Sequence, residues 1–244
     1  MQRKEWLRQF FLWFKKIIFF LFFVFIFFLI LFFGNEFFKI RVIKIETDDN
    51  FVKILGIESL KDKNIFFISE KKEEKRLKEI NPKIKKIVIL KKYPKTLDIY
   101  IKIYSPAVLI KGNQGFLVLS EDGRILSALK SQKNYYSLPF INYYQLINQA
   151  IYKVGDWIDL KDIKMALLLF NQLKNFNLTI KDIDIVNEDM IVFKLKEEKK
   201  ILFTSKKDWQ KQIFPVFLIL KHLRLEGKEF RQIDVRFDKP IIKF

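Results

Sequence analysis

A long uncharged run near the N-terminus limits what this chain can fold into. Residues 17–33 contain no charged or polar side chain, and phenylalanine is the commonest residue among them. A helix rises about 1.5 Å per residue, so the run would reach roughly 25 Å, close to the thickness of the hydrocarbon core of a bilayer. We therefore predict a single transmembrane helix over 17–33, preceded by a short tail over 1–16.

The charges on either side of the run predict its orientation. The tail is basic and has one acid, Glu5, whereas the flank after the run is less basic. The positive-inside rule keeps such a tail in the cytoplasm, which gives a single-pass, type II protein of the cell membrane. A cleaved signal peptide would have a shorter apolar core and small residues after it. A buried helix of a soluble domain is disfavoured because no face of the run is polar.

The overall charge is strongly positive, with a formal value of +18. The lysines are scattered and mixed with acids, which is typical of a solvated surface and not of a nucleic-acid site. Attraction to anionic lipid or wall polymer remains an alternative use of this charge. The chain has no cysteine, so disulfides and thiolate metal sites are excluded.

The region directly after the run has the pattern of a small α+β unit. We predict a short strand around 40–45, a short helix over 48–55 and a helix over 70–80 that Ser69 caps. In the second helix, Leu77 and Ile80 should face inward. Strands should follow at 84–91 and 97–104, because apolar residues alternate there. The pattern favours helices on one side of a three-stranded sheet.

Beyond Ser105-Pro106 the pattern favours a mixed β-sheet domain with flanking helices. Asp122-Gly123 is typical of a hairpin turn. The other predicted elements are strands at 107–111, 115–120, 138–141, 180–186, 190–195, 200–204 and 232–244, with a helix at 161–173. A last helix should begin at a capping box on Ser205, bury Trp209, Ile213, Val216, Phe217 and Leu220, and be kinked by Pro215.

Several short segments, in this order along the chain, resemble the FtsQ/DivIB family of bacterial cell-division proteins. They are Asn64-Ile65-Phe66, Asn81-Pro82-Lys83-Ile84, Tyr93-Pro94-Lys95-Thr96-Leu97, Pro106-Ala107-Val108, Glu121-Asp122-Gly123-Arg124-Ile125-Leu126, Leu138-Pro139 and Ile233-Asp234-Val235-Arg236-Phe237. The resemblance implies a POTRA-type unit over 37–105 and a β domain over 106–244.

The residue inventory favours no catalysis. The single histidine, His222, lies near the end of the last predicted helix, where a solvated side chain is expected. Ser69/Lys72 and Ser127/Lys130 have a Ser-x-x-Lys spacing, but so lysine-rich a chain produces such pairs by chance. There is no glycine-rich phosphate loop. We therefore predict no enzyme activity, no cofactor and no metal.

A strand at the end of the chain is expected at a sheet edge, where it could accept a strand from another protein. The resemblance implies that coiled-coil subunits of the FtsB/DivIC and FtsL types dock there. The candidate binding residues are Arg236, Phe237, Asp238, Pro240, Ile241, Ile242, Lys243 and Phe244, with Phe237 as the aromatic anchor. Alternatively, Ile241 and Phe244 simply close the core. The POTRA-type unit, including Ile40 and Val42, is a second candidate docking surface.

The resemblance therefore implies a non-enzymatic scaffold at the division septum. It would bind the small coiled-coil subunits and other membrane proteins of the division machinery outside the membrane, and help position septal peptidoglycan synthesis. Three alternatives remain open from the sequence. They are another POTRA-bearing envelope assembly or transport factor, a wall-modifying hydrolase or transferase, and a basic domain that binds wall polymer or lipid.

Overall fold

The computed structural model describes residues 2–48, 53–131, 135 and 137–244, without the side chains of 2–12, 14 and 30–34. The chain forms two compact units, Met1–Ile103 and Tyr104–Phe244. Each unit combines helices with a β-sheet, so the predicted α+β class is confirmed.

The first unit opens with a long helix, α1, from Gln2 to Phe37. The predicted helix over 17–33 lies within it. Apolar side chains that the structure describes on this helix, among them Phe19, Phe20 and Phe28, are mostly exposed. Among the described residues, no helix combines the length and the apolar content that a membrane crossing requires.

The rest of the first unit is a three-stranded sheet covered by one helix and two short 3-10 turns. The strands are β1 Val42–Thr47, β2 Ile84–Lys92 and β3 Thr96–Ile103; the helix is α2 Glu70–Ile80, and the turns are Glu58–Leu60 and Ile65–Phe67. The order is β1-β3-β2, with β3 parallel to β1 and antiparallel to β2. The strands predicted at 84–91 and 97–104 are confirmed to within a residue. Of the short helix predicted over 48–55, residues 49–52 lie outside the described residues, and the described residues 48 and 53–55 are not helical.

The end of α2 differs from the prediction. Leu77 is fully buried as expected, but Ile80 is 42% exposed, so its assignment to the inner side was wrong. The buried position after the helix belongs to Asn81. Its Nδ2 donates to the carbonyls of Leu77 and Leu55, at 2.8 and 3.0 Å, and its Oδ1 accepts from the N–H of Leu55 at 2.8 Å. The amide thus closes the helix and holds the preceding loop.

The second unit is built on one nine-stranded mixed sheet. Its strands are β4 Pro106–Gly112, β5 Gly115–Ser120, β6 Ile125–Leu129, β7 Phe140–Tyr143, β8 Ile180–Asn187, β9 Met190–Leu195, β10 Lys200–Phe203, β11 Gln232–Asp234 and β12 Ile241–Lys243. They lie in the order β12-β11-β10-β9-β8-β7-β4-β5-β6. β7 runs parallel to both β4 and β8, β10 runs parallel to β11, and the other pairs are antiparallel. The strand region predicted over 232–244 is in fact two strands joined by a turn.

Two helices pack on this sheet, α3 Lys161–Asn175 and α4 Trp209–Glu226. The inner face predicted for α3 is confirmed at every position: Ile163, Ala166, Leu167, Phe170 and Leu173 are all buried. On α4, Ile213 and Val216 are buried as predicted. Phe217 is instead exposed, and the polar Gln212 takes a buried position that the apolar pattern did not indicate.

The start of α4 also differs from the prediction. The Oδ1 of Asp208 accepts from the backbone N–H groups of Gln210 and Lys211, so Asp208 is the N-cap. Ser205, predicted as the cap, is buried and donates to the carbonyl of Glu188 at 2.9 Å. Pro215 lies inside the helix, which nevertheless continues to Glu226. The carbonyl it leaves without a helical partner belongs to Lys211, an exposed residue that water can reach.

Candidate partner-binding edge

The strand β12 lies at one edge of the nine-stranded sheet and pairs antiparallel with β11. Its middle residue, Ile242, is partly buried against the core. The flanking Ile241 is 48% exposed and Phe244 is 66% exposed. Ile242, and not Ile241 or Phe244, therefore closes the core at this edge, and the other two apolar side chains lie on the surface.

The opposite edge of the sheet, β6, is partly occupied by the chain itself. The N–H of Ile125 donates to the backbone carbonyl of Asp156 at 2.9 Å, and the N–H of Gly155 donates to the backbone carbonyl of Ile125 at 2.8 Å. Arg124 and Trp157 form an isolated antiparallel bridge. Over the described part of the chain, no segment lies beyond β12 in the same way. The two edges are therefore not equivalent as acceptors of an added strand.

Arg236 is held inside the chain by the acid that ends β11. Its Nε and Nη2 donate to the two carboxylate oxygens of Asp234, at 3.0 and 2.7 Å, and its backbone N–H donates to the same carboxylate at 3.1 Å. Asp234 is buried. Arg236 thus neutralises a buried charge and fixes the turn that leads to β12, a structural role in addition to the binding role predicted from the sequence.

The pKa of Asp234 reflects this pairing. Burial is the largest influence and raises the pKa, but the hydrogen bonds and charge of Arg236, with the charge of Lys243, hold it below its ordinary value. The carboxylate is therefore ionised at neutral pH although it is buried. The same bonds raise the pKa of Arg236, so both partners are charged across the physiological range.

Phe237 projects from the turn between β11 and β12 and is more than half exposed. The guanidinium carbon of Arg236 lies 5.3 Å from the centre of its ring, within the range of a cation–π contact. The next residue, Asp238, is fully exposed, and the Nζ of Lys207 donates to its carboxylate at 2.7 Å. The hydrogen bond from Lys207, more than its charge, lowers the pKa of Asp238.

A cleft lies between this turn and the start of α4, with a volume of about 460 Å³. Its lining combines apolar surface from Pro215, Val235, Phe237 and Pro240 with polar groups from Lys206, Lys207, Asp208, Lys211 and Asp238. Lys206 pairs with Asp189 at 2.6 Å. The lining itself has three lysines against two acids, an excess of one positive charge, and we call it the basic cleft. It is suited to an acidic segment that also carries an apolar side chain.

Lys207 of this cleft is held through its backbone by Gln212, which is 1% exposed. Its Nε2 donates to the carbonyl of Lys207 at 3.1 Å and to that of Thr204 at 2.9 Å. This buried amide and the bonds of Thr204 and Ser205 to the carbonyl of Glu188 together hold the segment between β10 and α4. The sequence did not predict Gln212, Lys206, Lys207 or Lys211 as part of the site, because nothing in the local pattern places them beside residues 235–240.

The structure places several of the residues considered for catalysis or metal binding. His222 is exposed on α4, with its Nε2 2.9 Å from a carboxylate oxygen of Glu226. Ser127 lies on β6, whereas Lys130 lies just beyond the end of that strand. Within the described residues, no three His, Asp or Glu side chains lie close enough together to hold a metal ion.

Comparison with known proteins assigns part of the chain to a family. Residues 38–102 match the model of the POTRA domain, FtsQ-type. Over this stretch the chain is similar to the FtsQ/DivIB proteins. The matched stretch coincides with the three-stranded sheet of the first unit and its helix and contains three of the seven short segments, so the predicted resemblance to the FtsQ/DivIB family is confirmed there.

Two FtsQ/DivIB relatives, each named cell division protein DivIB, come from Clostridium botulinum. The protein of strain Loch Maree / Type A3 is 30% identical over 122 residues, which are 49% of this chain and 48% of that protein. The protein of strain Hall is 27% identical over 158 residues, 64% of this chain and 60% of that protein. The chain thus spans about half to three fifths of the length of these relatives.

Proposed function

We propose that this chain is a non-catalytic cell-division protein that binds an extended segment of an FtsB/DivIC- or FtsL-type coiled-coil subunit along β12. The segment would add a tenth strand to the sheet. Holding these subunits and other division proteins at the septum would help position peptidoglycan synthesis. The mechanism is binding and positioning, with no chemical step.

The observation that supports this proposal most directly is the difference between the two sheet edges. β6 has part of its edge occupied by residues 155–157, whereas β12 is the outermost strand among the described residues. An edge strand offers backbone N–H and C=O groups that can pair with an incoming strand. Backbone pairing supplies affinity, and the side chains of alternate residues supply selectivity.

Charge and shape indicate the chemistry of the incoming segment. Beside β12 lies the basic cleft, whose apolar lining includes Phe237 and Pro240. Lys239 and Lys243 add two more exposed cations in the same stretch of chain. We infer a segment with acidic residues that pair with the lysines and an apolar or aromatic side chain that packs on Phe237.

We also propose that α1 anchors the protein in the cell membrane with its N-terminus in the cytoplasm. The support is the uncharged run 17–33 and the exposure of the described apolar side chains within it. Leaving so many phenylalanines in water would cost about 25 cal/mol for every Å² exposed, a cost that lipid removes. The basic tail supports the orientation.

Binding measurements with charge-reversal variants test the proposed edge. The purified full chain in detergent is titrated with the coiled-coil subunits of its own organism, FtsB/DivIC-type and FtsL-type, alone and together. Lys243→Glu on β12 should weaken binding. Lys130→Glu, just beyond β6, makes the same charge change beside the other edge and should leave binding unchanged.

Phe237→Ala provides a second, uncharged test of the same site. Loss of an exposed aromatic anchor should weaken binding by about tenfold or more, since hot-spot residues contribute roughly 2 kcal/mol. The exposed ring contributes little to folding, so thermal stability should be unchanged. If neither Lys243→Glu nor Phe237→Ala alters the affinity of a subunit that binds the wild type, the proposed site is wrong.

A further inference from the structure

The end of α1 is tied to the POTRA unit by several hydrogen bonds. The Nδ2 of Asn64 donates to Oδ1 of Asn35 at 2.9 Å, and the N–H of Ile65 donates to the carbonyl of Phe38 at 2.9 Å. The N–H of Arg41 donates to the carbonyl of Lys95 at 2.9 Å. The end of α1, the 3-10 turn Ile65–Phe67 and the turn between β2 and β3 therefore meet at one end of the unit.

Aromatic rings from all three segments form a continuous cluster at this end. Phe37 and Phe38 have ring centres 5.1 Å apart, Phe38 and Phe66 4.7 Å, and Phe66 and Tyr93 5.0 Å. We call these four rings, together with Phe67, the chain neighbour of Phe66, the aromatic cluster. Its members Phe37, Phe66 and Tyr93 are more than half exposed, and Phe67 is 87% exposed. Exposed aromatic side chains in contact with one another usually mark a surface with an occupant.

Basic residues lie next to members of the aromatic cluster along the chain. Lys39 and Arg41 follow α1, Lys63 precedes the 3-10 turn, and Lys95 follows Tyr93 by two residues. The acids that pair with these cations or lie among them are Glu36, which contacts Lys39 and Arg41, Glu73, which lies 4.0 Å from Lys63, and Asp62. Four cations against three acids leave this end of the unit with a small positive excess. Apolar rings within a positive rim complement a surface whose outer layer carries phosphate groups.

We propose that the aromatic cluster is a second membrane contact, which seats the POTRA unit in the headgroup layer of the outer face of the bilayer. This inference rests on the proposed membrane anchoring by α1. A lipid surface is favoured over a protein partner because the cluster is continuous with the anchor: Phe37 is the last residue of α1 and its ring touches that of Phe38.

The position of the cluster along α1 supports the same conclusion. Phe37 lies four residues beyond Phe33, the end of the uncharged run, which is about 6 Å along a helix. The polar layer on each side of a bilayer is also roughly 6 Å thick. The rings would therefore lie at the depth where aromatic residues are enriched in membrane proteins. Such a contact would restrict the POTRA unit to a fixed height above the bilayer.

The absence of cysteine allows a direct measurement of depth. A nitroxide is attached to Phe67→Cys in the full chain, reconstituted in vesicles of phosphatidylcholine and phosphatidylglycerol. Accessibility to oxygen, which concentrates in lipid, is compared with accessibility to a water-soluble nickel chelate. The matched control is Lys83→Cys, an exposed site at the other end of the POTRA unit. The oxygen-to-nickel ratio should be severalfold higher at position 67 than at position 83.

A second variant tests whether the aromatic rings cause the insertion. Adding Phe66→Ser and Tyr93→Ser to the chain labelled at 67 should lower the ratio to that of position 83, while co-flotation with the vesicles is unchanged. Equal ratios at 67 and 83 in a chain that still co-floats would overturn the proposal but leave the anchor intact. Failure to co-float would overturn the anchor and the proposal together. Protection of position 67 only in native membranes, and not in pure lipid, would replace lipid with a protein partner.

Discussion

The side-chain amide of Gln212 pairs with both backbone groups of Thr204. Its Oε1 accepts from the N–H of Thr204 at 2.8 Å, and its Nε2 donates to the carbonyl at 2.9 Å. Thr204 directly follows β10, so the amide on α4 continues the hydrogen bonding of the strand by one residue. This link fixes the start of α4 against the sheet and so determines the position of the basic cleft.

Replacing Gln212 should destabilise the second unit strongly. In Gln212→Ala the N–H and carbonyl of the buried Thr204 lose their partner, which should cost about 2–4 kcal/mol of unfolding free energy. Gln210→Ala, at an exposed position on the same helix, should change stability by less than about 0.5 kcal/mol. Denaturant unfolding of the full chain in detergent measures both. Equal effects of the two substitutions would contradict a structural role for Gln212.

The ion pair of Asp234 and Arg236 should make stability depend on pH. The pKa of Asp234 is lower in the folded protein than in the unfolded chain. Its contribution to the unfolding free energy is therefore complete above the pKa that Asp234 has in the unfolded chain, and it is lost as the pH falls through the pKa that Asp234 has in the folded protein. Arg236→Gln should destabilise the protein by about 2–3 kcal/mol at pH 7. The difference in unfolding free energy between Arg236→Gln and the wild type should become smaller as the pH is lowered through about 4 and below.

The control for this prediction is Arg231→Gln. Arg231 is exposed and lies just before β11, so the substitution removes the same charge without leaving a buried carboxylate unpaired. Thermal unfolding at a series of pH values compares the two variants with the wild type. A loss in Arg236→Gln that is the same at pH 3 and pH 7 would contradict the role assigned to the pair.

The turn between β9 and β10 should be open to stabilisation. Glu197 and Glu198 have φ values of 60° and 58°. Residues other than glycine and asparagine rarely adopt this left-handed backbone conformation. Two such residues at the centre of a hairpin turn favour Asn-Gly. The double substitution Glu197→Asn, Glu198→Gly should raise the unfolding free energy by about 1–2 kcal/mol. Alanine at both positions keeps the strained positive φ values and should not raise the unfolding free energy.

Asn81 should be essential to the POTRA unit. Its three hydrogen bonds join the end of α2 to residue 55, and the side chain is buried. Asn81→Ala should cost about 2–3 kcal/mol because the backbone groups of Leu55 lose their partners. Asn81→Asp keeps the acceptor but removes the donor, so it should also destabilise. Native-state hydrogen exchange of α2 measures the effect, and unchanged protection in both variants would contradict this assignment.

The sequence predicted elements well where burial follows the period of a helix or strand. The inner face of α3 and the strands β2 and β3 repeat apolar residues at the spacing that the structure buries, so pattern alone was sufficient. It was also sufficient for the hairpin at Asp122-Gly123, since a glycine at φ +85° occupies the turn. The terminal strand region was predicted, but the break between β11 and β12 was not.

The rest could not be predicted because long-range contacts decide it. Gln212 and Asn81 are buried polar residues whose partners lie eight and twenty-six residues away, and periodicity carries no information about such partners. The sequence at Ser205 has the pattern of a capping box, but the Ser205 hydroxyl donates to the backbone carbonyl of Glu188 and does not cap α4. Arg236 was predicted as a binding residue from the family resemblance, and its ion pair was missed because the local pattern gave no sign that Asp234 is buried. The lysines of the cleft join the site only through the packing of α4.

Hydrogen exchange at the two sheet edges tests the central proposal most directly. Deuterium uptake of the full chain in detergent is followed with and without a saturating amount of the coiled-coil subunit that binds it. Strand addition predicts slower exchange of the amides of β12, residues 241–243, and unchanged exchange of β6. Unchanged exchange at β12, with protection appearing elsewhere on the chain, would contradict the proposal that this edge receives the partner.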